Sequence, residues 1–185
     1  MTNDNSILTG SQVVLRPPRE TDKGDRLACG RDAEFRKMVG GDPRSLPPLT
    51  VAEVEAWYDQ LSQQHHHWVI ETDGRCIGTA RLHTVEEENR RARFAIGIFG
   101  PEFWGRGLGT EATRLVLAYA FEVLSLHRVD LRVLTFNERA IACYERCGFR
   151  REGIEREGAW IGGQWQSDMI MSILEQEYKA APEIG

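Results

Sequence analysis

The sequence predicts an α+β domain with a mixed, largely antiparallel sheet flanked by helices, and three observations carry that prediction. Two strand-like runs meet at Asp73-Gly74, a dipeptide suited to the left-handed conformations of a tight hairpin turn. Past the glycine-rich run of residues 104–110, the apolar period lengthens from two to the helical 3.6, then returns to two at residues 129–133. That change embeds a strand–helix–strand crossover in the sheet. A last pair of strands flanks Gly162-Gly163 and closes it.

Taken in order, residues 13–16 form a short apolar strand stopped by Pro17 and Pro18, and Thr21 or Asp22 then caps a helix running toward Arg31. Residues 40–48 hold two glycines and three prolines and read as a loop. Thr50 and Glu53 make a capping box ahead of a helix whose stripe is Val51, Val54, Trp57, Tyr58 and Leu61. Strands follow at residues 68–72, 75–83 and 91–99, the last two separated by the acidic turn Glu86-Glu87-Glu88. Ala112, Leu115, Val116, Tyr119, Ala120 and Val123 share one face of the next helix. Val129, Leu131 and Val133 alternate with Asp130 and Arg132 as a strand. Asn137 caps a helix with Ala140, Cys143, Tyr144 and Cys147 inward, and Gly148 is placed to end it in a left-handed turn. The closing strands run over residues 149–160 and 165–174. Residues 1–185 read as one domain, with 1–9 and 179–185 expected to be flexible.

Bulk properties narrow the function classes. The chain has 185 residues, enough for one domain with a substantial core. A net charge of -5 gives no basic footprint for nucleic acid. No apolar run has the length of about 18 residues that a membrane span needs, and the polar start has no leader pattern. Cys29, Cys76, Cys143 and Cys147 are too scattered for a disulfide framework and read as small buried thiols. A cytoplasmic protein is expected. His65-His66-His67 lies beside a strand, where successive side chains point to opposite faces, so no metal site is assigned to it.

The run Trp104-Gly105-Arg106-Gly107-Leu108-Gly109-Thr110 stands between a strand and an amphipathic helix. Glycines there let the backbone turn tightly and present successive N–H groups, and the helix dipole adds positive potential. Such a turn suits a pyrophosphate, with Arg106 adding a charge-assisted contact. It lacks the Gly-Lys-Ser/Thr ending of a P-loop. The preceding hairpin is also unlike the strand–helix–strand unit of a dinucleotide fold. Taken alone, the spacing of Tyr144 is that of a core tyrosine.

Residues 103–112 and 137–149, and the spacing between them, resemble the GNAT superfamily of N-acetyltransferases. The closest likeness is to its branch of ribosomal-protein and spermidine N-acetyltransferases. Leu15-Arg16-Pro17 with Asp22 resembles the branch's beginning more loosely. Trp104 stands where the superfamily has Gln or Arg, a replacement familiar in this branch. The resemblance implies a sheet splayed in its middle and acetyl-CoA as acetyl donor, with no metal. It also implies direct attack by a primary amine, either a small molecule such as a polyamine or a protein N-terminus, within a ternary complex. A homodimer is implied as well.

By the same resemblance, Trp104, Gly105, Arg106, Gly107, Leu108, Gly109 and Thr110 hold the pyrophosphate. Gly97, Ile98 and Phe99 hold the pantetheine at a bulge suited to Gly97. Asn137 reaches the pantetheine, and Tyr144 protonates the leaving thiolate. Many relatives place a glutamate base where this chain has Ala95. His83 is therefore the expected base, with Glu71 and Asp168 as further candidates and ordered water as another route. Trp160 and Trp165 are expected to wall the substrate cleft. A non-catalytic acyl-CoA-binding module is the alternative.

Overall fold

The computed structural model describes residues 6–44 and 46–180. Its strands are β1 (Leu8–Thr9), β2 (Val14–Arg16), β3 (His67–Thr72), β4 (Arg75–Glu86), β5 (Arg91–Ile98), β6 (Arg128–Leu134), β7 (Arg150–Ile161) and β8 (Gln164–Leu174). They form one eight-stranded sheet in the order β1-β2-β3-β4-β5-β6-β8-β7. Every neighbouring pair is antiparallel except β5 and β6. The helices are α1 (Asp22–Cys29), α2 (Ala33–Met38), α3 (Val51–Ser62), α4 (Leu108–Ala118), α5 (Glu138–Arg146) and α6 (Glu175–Ala180).

Alternation along the strands sorts the side chains into two faces. Trp68, Ile70, Ala80, Leu82, Phe94, Leu131, Val133 and Met171 pack with α4 and α5 in the main core. On the other face, Leu61, Val69, Cys76 and Phe99 make a smaller core with Phe35 and Trp57 from the α1–α3 layer. The remainder of that second face is open. Along it lie Thr79, Arg81 and His83 of β4, opposite Gly97, Ala95 and Arg93 of β5.

The capping box holds α3: Thr50 accepts from the Glu53 N–H, and the Glu53 carboxylate accepts from the Thr50 N–H at 3.0 Å. Gly148 has φ +96°, the left-handed turn past α5. Two short elements escape the sequence reading. The six residues of α2 bury no side chain and are held by Asp32, which accepts from the Phe35 N–H. A π-turn, Tyr119–Val123, finishes the crossover helix. Leu8 and Thr9 pair with Leu15 and Val14, and Lys179 lies in α6 with its ammonium on Glu175 at 2.6 Å. Residues 1–5 and 181–185 lie outside the described residues.

Asp22 is no simple cap. It is fully buried and receives the Arg16 guanidinium on both oxygens, at 2.9 and 2.7 Å, while Arg16 also contacts Glu71. These partners hold Arg16 well above its usual range against the opposing effect of burial. The cluster ties β2, β3 and the start of α1 together. Glu71 is spent in it, which removes that residue from the candidates for the catalytic base. Asp22→Ala strands a buried guanidinium and is expected to destabilise the fold by about 3–5 kcal/mol in urea unfolding. A loss of under about 1 kcal/mol would show that the cluster contributes little.

Candidate active site

The parallel pairing of β5 with β6 is brief: Arg91, Ala92 and Arg93 match Arg128, Val129 and Asp130, and pairing stops there. The last pair is also an ion pair, Arg93 Nε donating to Asp130 Oδ1 at 2.8 Å. Beyond it the two strands separate, while β5 stays in register with β4 as far as Ile98. The gap opens into a cleft of about 670 Å³ that runs from the glycine-rich turn to the open sheet face.

The parting therefore begins at Phe94, and β5 has no bulge at Gly97, correcting that expectation. The missing side chain at Gly97 serves a different purpose. A Cβ there would meet the Phe35 ring at 3.2 Å, and at Gly78 a Cβ would fall 2.2 Å from the Gly97 carbonyl. Glycine thus allows both the β4–β5 approach and the seating of Phe35.

At the far end of the gap the chain turns through Gly105 (φ +73°) and Gly107 (φ +84°) into α4. Gly107 caps the helix with no side-chain acceptor, and the first intrahelical bond runs from the Glu111 N–H to the Gly107 carbonyl at 3.0 Å. The N–H groups of Leu108, Gly109 and Thr110 are thus left to face a ligand at the positive end of the helix dipole. That cradle fits an anion such as a pyrophosphate. Trp104, Gly105, Gly107, Leu108, Gly109 and Thr110 all line the cleft. Arg106 is exposed and outside the lining, because its side chain leaves the turn toward solvent. Trp104 donates to the Ile98 carbonyl at 3.0 Å, and its ring carries the Arg139 guanidinium at 3.9 Å.

Helix α5 supplies Asn137, Cys143 and Tyr144 to the same cleft. Asn137 accepts from the Ala140 N–H and donates to the Met38 carbonyl at 3.4 Å, so it also ties α5 to α2. The Tyr144 ring is 8% exposed and packs edge-on against Phe94 and Phe149. Its hydroxyl has no hydrogen-bond partner among the described residues. Burial, with the thiols of Cys143 and Cys147 nearby, pushes its pKa well above the usual phenol value. The phenol stays protonated at neutral pH and is equipped to give a proton. Cys143 lies 3.2 Å from the Thr110 hydroxyl, bridging α5 to α4. Hydrogen bonding from Cys147, and then from Thr110, draws its pKa below the usual thiol value against the opposing effect of burial.

His83 is not brought to the cleft. β4 continues to Glu86, past the end of the gap, and His83 sits beyond the lining with Nδ1 3.0 Å from the Thr84 hydroxyl. The imidazole that does line the cleft is His67, at the start of β3. Its Nδ1 is 2.9 Å from Gln64 Oε1, an acceptor, which assigns the proton to Nδ1 and leaves Nε2 as the acceptor. Burial, followed by repulsion from Arg81 and His83, depresses its pKa to about 4. Adjacent histidines on a strand give no signal of which one faces a cleft, and only the register of β3 decides it. Asp168 of β8 also lines the cleft and is its one carboxylate among the described residues. Burial and then Glu155 raise its pKa, against the opposing effect of Arg132. Trp160 and Trp165 are exposed at the tip of the β7–β8 hairpin, packed edge to face with ring centroids 5.0 Å apart, and outside the cleft. The hairpin points them away from the gap, which corrects their expected place in its wall.

A mixed sheet parted beside a glycine-led helix N-terminus defines an acyltransferase of the coenzyme A-dependent kind. The profile of the acetyltransferase (GNAT) domain matches residues 12–150, and the chain belongs to that family. It is 37% identical over 136 residues to spermidine N(1)-acetyltransferase of Escherichia coli K12, covering 72% of this chain and 73% of that one. It is 36% identical over 107 residues, 58% of each chain, to the putative ribosomal N-acetyltransferase YdaF of Bacillus subtilis. A solved structure of Vibrio cholerae spermidine N-acetyltransferase in complex with CoA and spermine superposes with TM-score 0.76 and 28% identity. That superposition covers 92% of this chain and 99% of that one. The protein is an N-acetyltransferase that moves acetyl groups from acetyl-CoA to an amine. Among the described residues, no helix is long and apolar enough to cross a membrane.

Gly107→Val places a β-branched residue at φ +84°, a strained backbone that relaxes by turning the cradle away from its ligand. CoA affinity by calorimetry is expected to fall by about ten- to a hundredfold in a variant that stays folded. Unchanged affinity would place the anion site elsewhere.

Proposed function

We propose that acetyl-CoA lies along the cleft with its pyrophosphate on the N–H groups of Leu108, Gly109 and Thr110 and its thioester in the gap beside Tyr144. A primary amine would enter from the open sheet face. The observation that carries this reading is the coincidence, in one gap, of a bare helix N-terminus and a buried phenol whose hydroxyl has no hydrogen-bond partner among the described residues. When bound, acetyl-CoA supplies an activated acetyl thioester. The protein's residues supply the rest. Backbone N–H groups of β5 that point into the gap, no longer paired with β6 beyond Arg93, are free to polarise a carbonyl. Tyr144 Oη holds the proton that a departing thiolate needs.

Asp168 replaces His83 as the proposed proton acceptor. A carboxylate with a raised pKa at the amine's entry both attracts an ammonium and can take its proton as the N–C bond forms. His67 is neutral near pH 7 but lies about two strand spacings, near 10 Å, from β5, which suits the relay of a proton through water.

Release of free CoA thiol over a panel of primary amines tests the reading. Tyr144→Phe keeps the packing and is expected to lower kcat by about a hundredfold while CoA binds as before. Asp168→Asn is expected to remove the acid limb of the kcat/KM profile, whose midpoint lies above the ordinary carboxylate value because the folded site disfavours the charged form. Turnover held within about twofold in Tyr144→Phe, with no pre-steady-state burst, would make the tyrosine a core residue only. CoA binding with no amine turned over would favour a non-catalytic binding module.

A further inference from the structure

Among the described residues, the lining of the cleft carries more positive than negative charge. Arg81, Arg132, Arg139 and Arg146 line the cleft, against Asp168 alone among carboxylates. Two of the four arginines have side-chain partners. Arg132 pairs with Glu155 at 2.5 Å, and Arg139 stacks on Trp104 and lies 3.6 Å from Glu34. Arg146 lies on α5, packed against α4 at the glycine-rich end. The guanidinium of Arg81, like that of Arg146, has no hydrogen-bond or ion-pair partner among the described residues, but Arg81 stands on β4 beside the parted strands.

Its place in the sheet defines a small receptor. Arg81 stands in register between His67 of β3 and Ala95 of β5, two pairs along from Thr79 and Gly97 on the same face. Ala95 contributes only a methyl group on one side, which leaves room over the guanidinium beside the parted strands. On the other side His67 is neutral, and Arg81 itself helps to keep it so. The pKa of His83, next along the same strand face, is lowered by burial and then by the same charge. A half-buried guanidinium facing a cleft without an anion is incomplete, since the desolvation it suffers is offset only when a carboxylate binds.

The sign of the charge continues behind this site. A second cavity of about 220 Å³ shares Phe35, Trp57 and Phe99 with the cleft, and Arg26, Arg31 and Arg36 line it. Both of its carboxylates are already engaged. Asp32 accepts from the Phe35 N–H at 2.7 Å, and Glu53 pairs with Arg31 and closes the α3 cap. A polyamine brings two or more further ammonium groups, and these cavities hold one unpaired carboxylate to receive them.

We infer that the preferred acceptor is a primary amine bearing a carboxylate, its amine directed to Asp168 and its carboxylate bound by Arg81. This inference rests on the acetyl-transfer reading above and departs from the polyamines named for the relatives. The same chemistry is offered by a free amino acid and by the N-terminus of a peptide with an acidic side chain close by. The fork of a guanidinium grips two carboxylate oxygens at once, which selects against the matching amide.

The test compares matched acceptors: glycine with glycinamide, γ-aminobutyrate with its carboxamide, and a peptide beginning Ser-Asp with one beginning Ser-Asn, with spermidine alongside. In at least one pair the carboxylate is expected to be preferred by about ten- to a hundredfold in kcat/KM, and which pair responds identifies the source. Arg81→Gln is expected to collapse that ratio toward one, and Arg81→Glu to favour spermidine. Spermidine as the best acceptor of the native protein, or equal rates within every pair, would overturn the inference. Calorimetry of γ-aminobutyrate and its carboxamide on the CoA-saturated protein judges the site without turnover. Tighter carboxylate binding that Arg81→Gln abolishes supports it even if no amine is acetylated, a result that would sink only the catalytic reading. Equal binding with measurable turnover would sink the inference and spare the enzyme.

Discussion

The site depends on one interruption of hydrogen bonding: β5 and β6 pair over three residues, end in the Arg93–Asp130 ion pair, and then part. Complete pairing would leave no cleft. Parallel strands joined by a helical crossover are ordinarily buried and continuous, so the separation needs support on both sides. On one side β4 keeps β5 in register to Ile98, helped by the close approach that Gly78 allows. On the other, β8 holds β6 as far as Leu134. Trp104 anchors the far rim by donating to the Ile98 carbonyl. The opened backbone is thus held rigidly, as a binding site on sheet scaffolding requires.

The two faces of the sheet divide the work. The apolar face with α4 and α5 stabilises the domain and delivers the helix N-terminus, Asn137 and Tyr144 to the gap from one side. The polar face, only partly covered by α1–α3, delivers His67, Arg81 and Asp168 from the other. In the proposed arrangement, thioester chemistry and acceptor selection would therefore meet at the gap from opposite faces. On that proposal, substitutions on the open face would change the acceptor with little effect on the core, which is consistent with one fold serving differently named relatives.

Much of the fold was legible because its signals are local. The Thr50/Glu53 box, the Asp73-Gly74 turn, Asn137 as a cap and Gly148 past α5 each act through backbone needs that a few neighbouring residues satisfy. The short α2 was not legible, since six residues with no buried side chain leave no periodic trace. The glycine-rich turn was readable for the same reason that it functions: only glycine accepts the φ values of residues 105 and 107 without strain. The acceptor side was not readable. Whether His67 or His83 meets the cleft, and whether Arg81 has a partner, depends on register across three strands and on where β6 turns away. Arg16, Asp22 and Glu71 make the same point, because a buried cluster spanning residues 16 to 71 has no signature in any one segment.

Residue-resolved amide hydrogen exchange with and without CoA tests the parted-strand site most directly. If the gap holds CoA, added CoA protects the amides of residues 96–98 on β5 and of Leu108, Gly109 and Thr110 at the start of α4. The amides of β7 and the Gly162-Gly163 turn would stay unchanged. Protection confined to any other surface, with residues 96–98 and 108–110 unaffected by saturating CoA, would contradict the account.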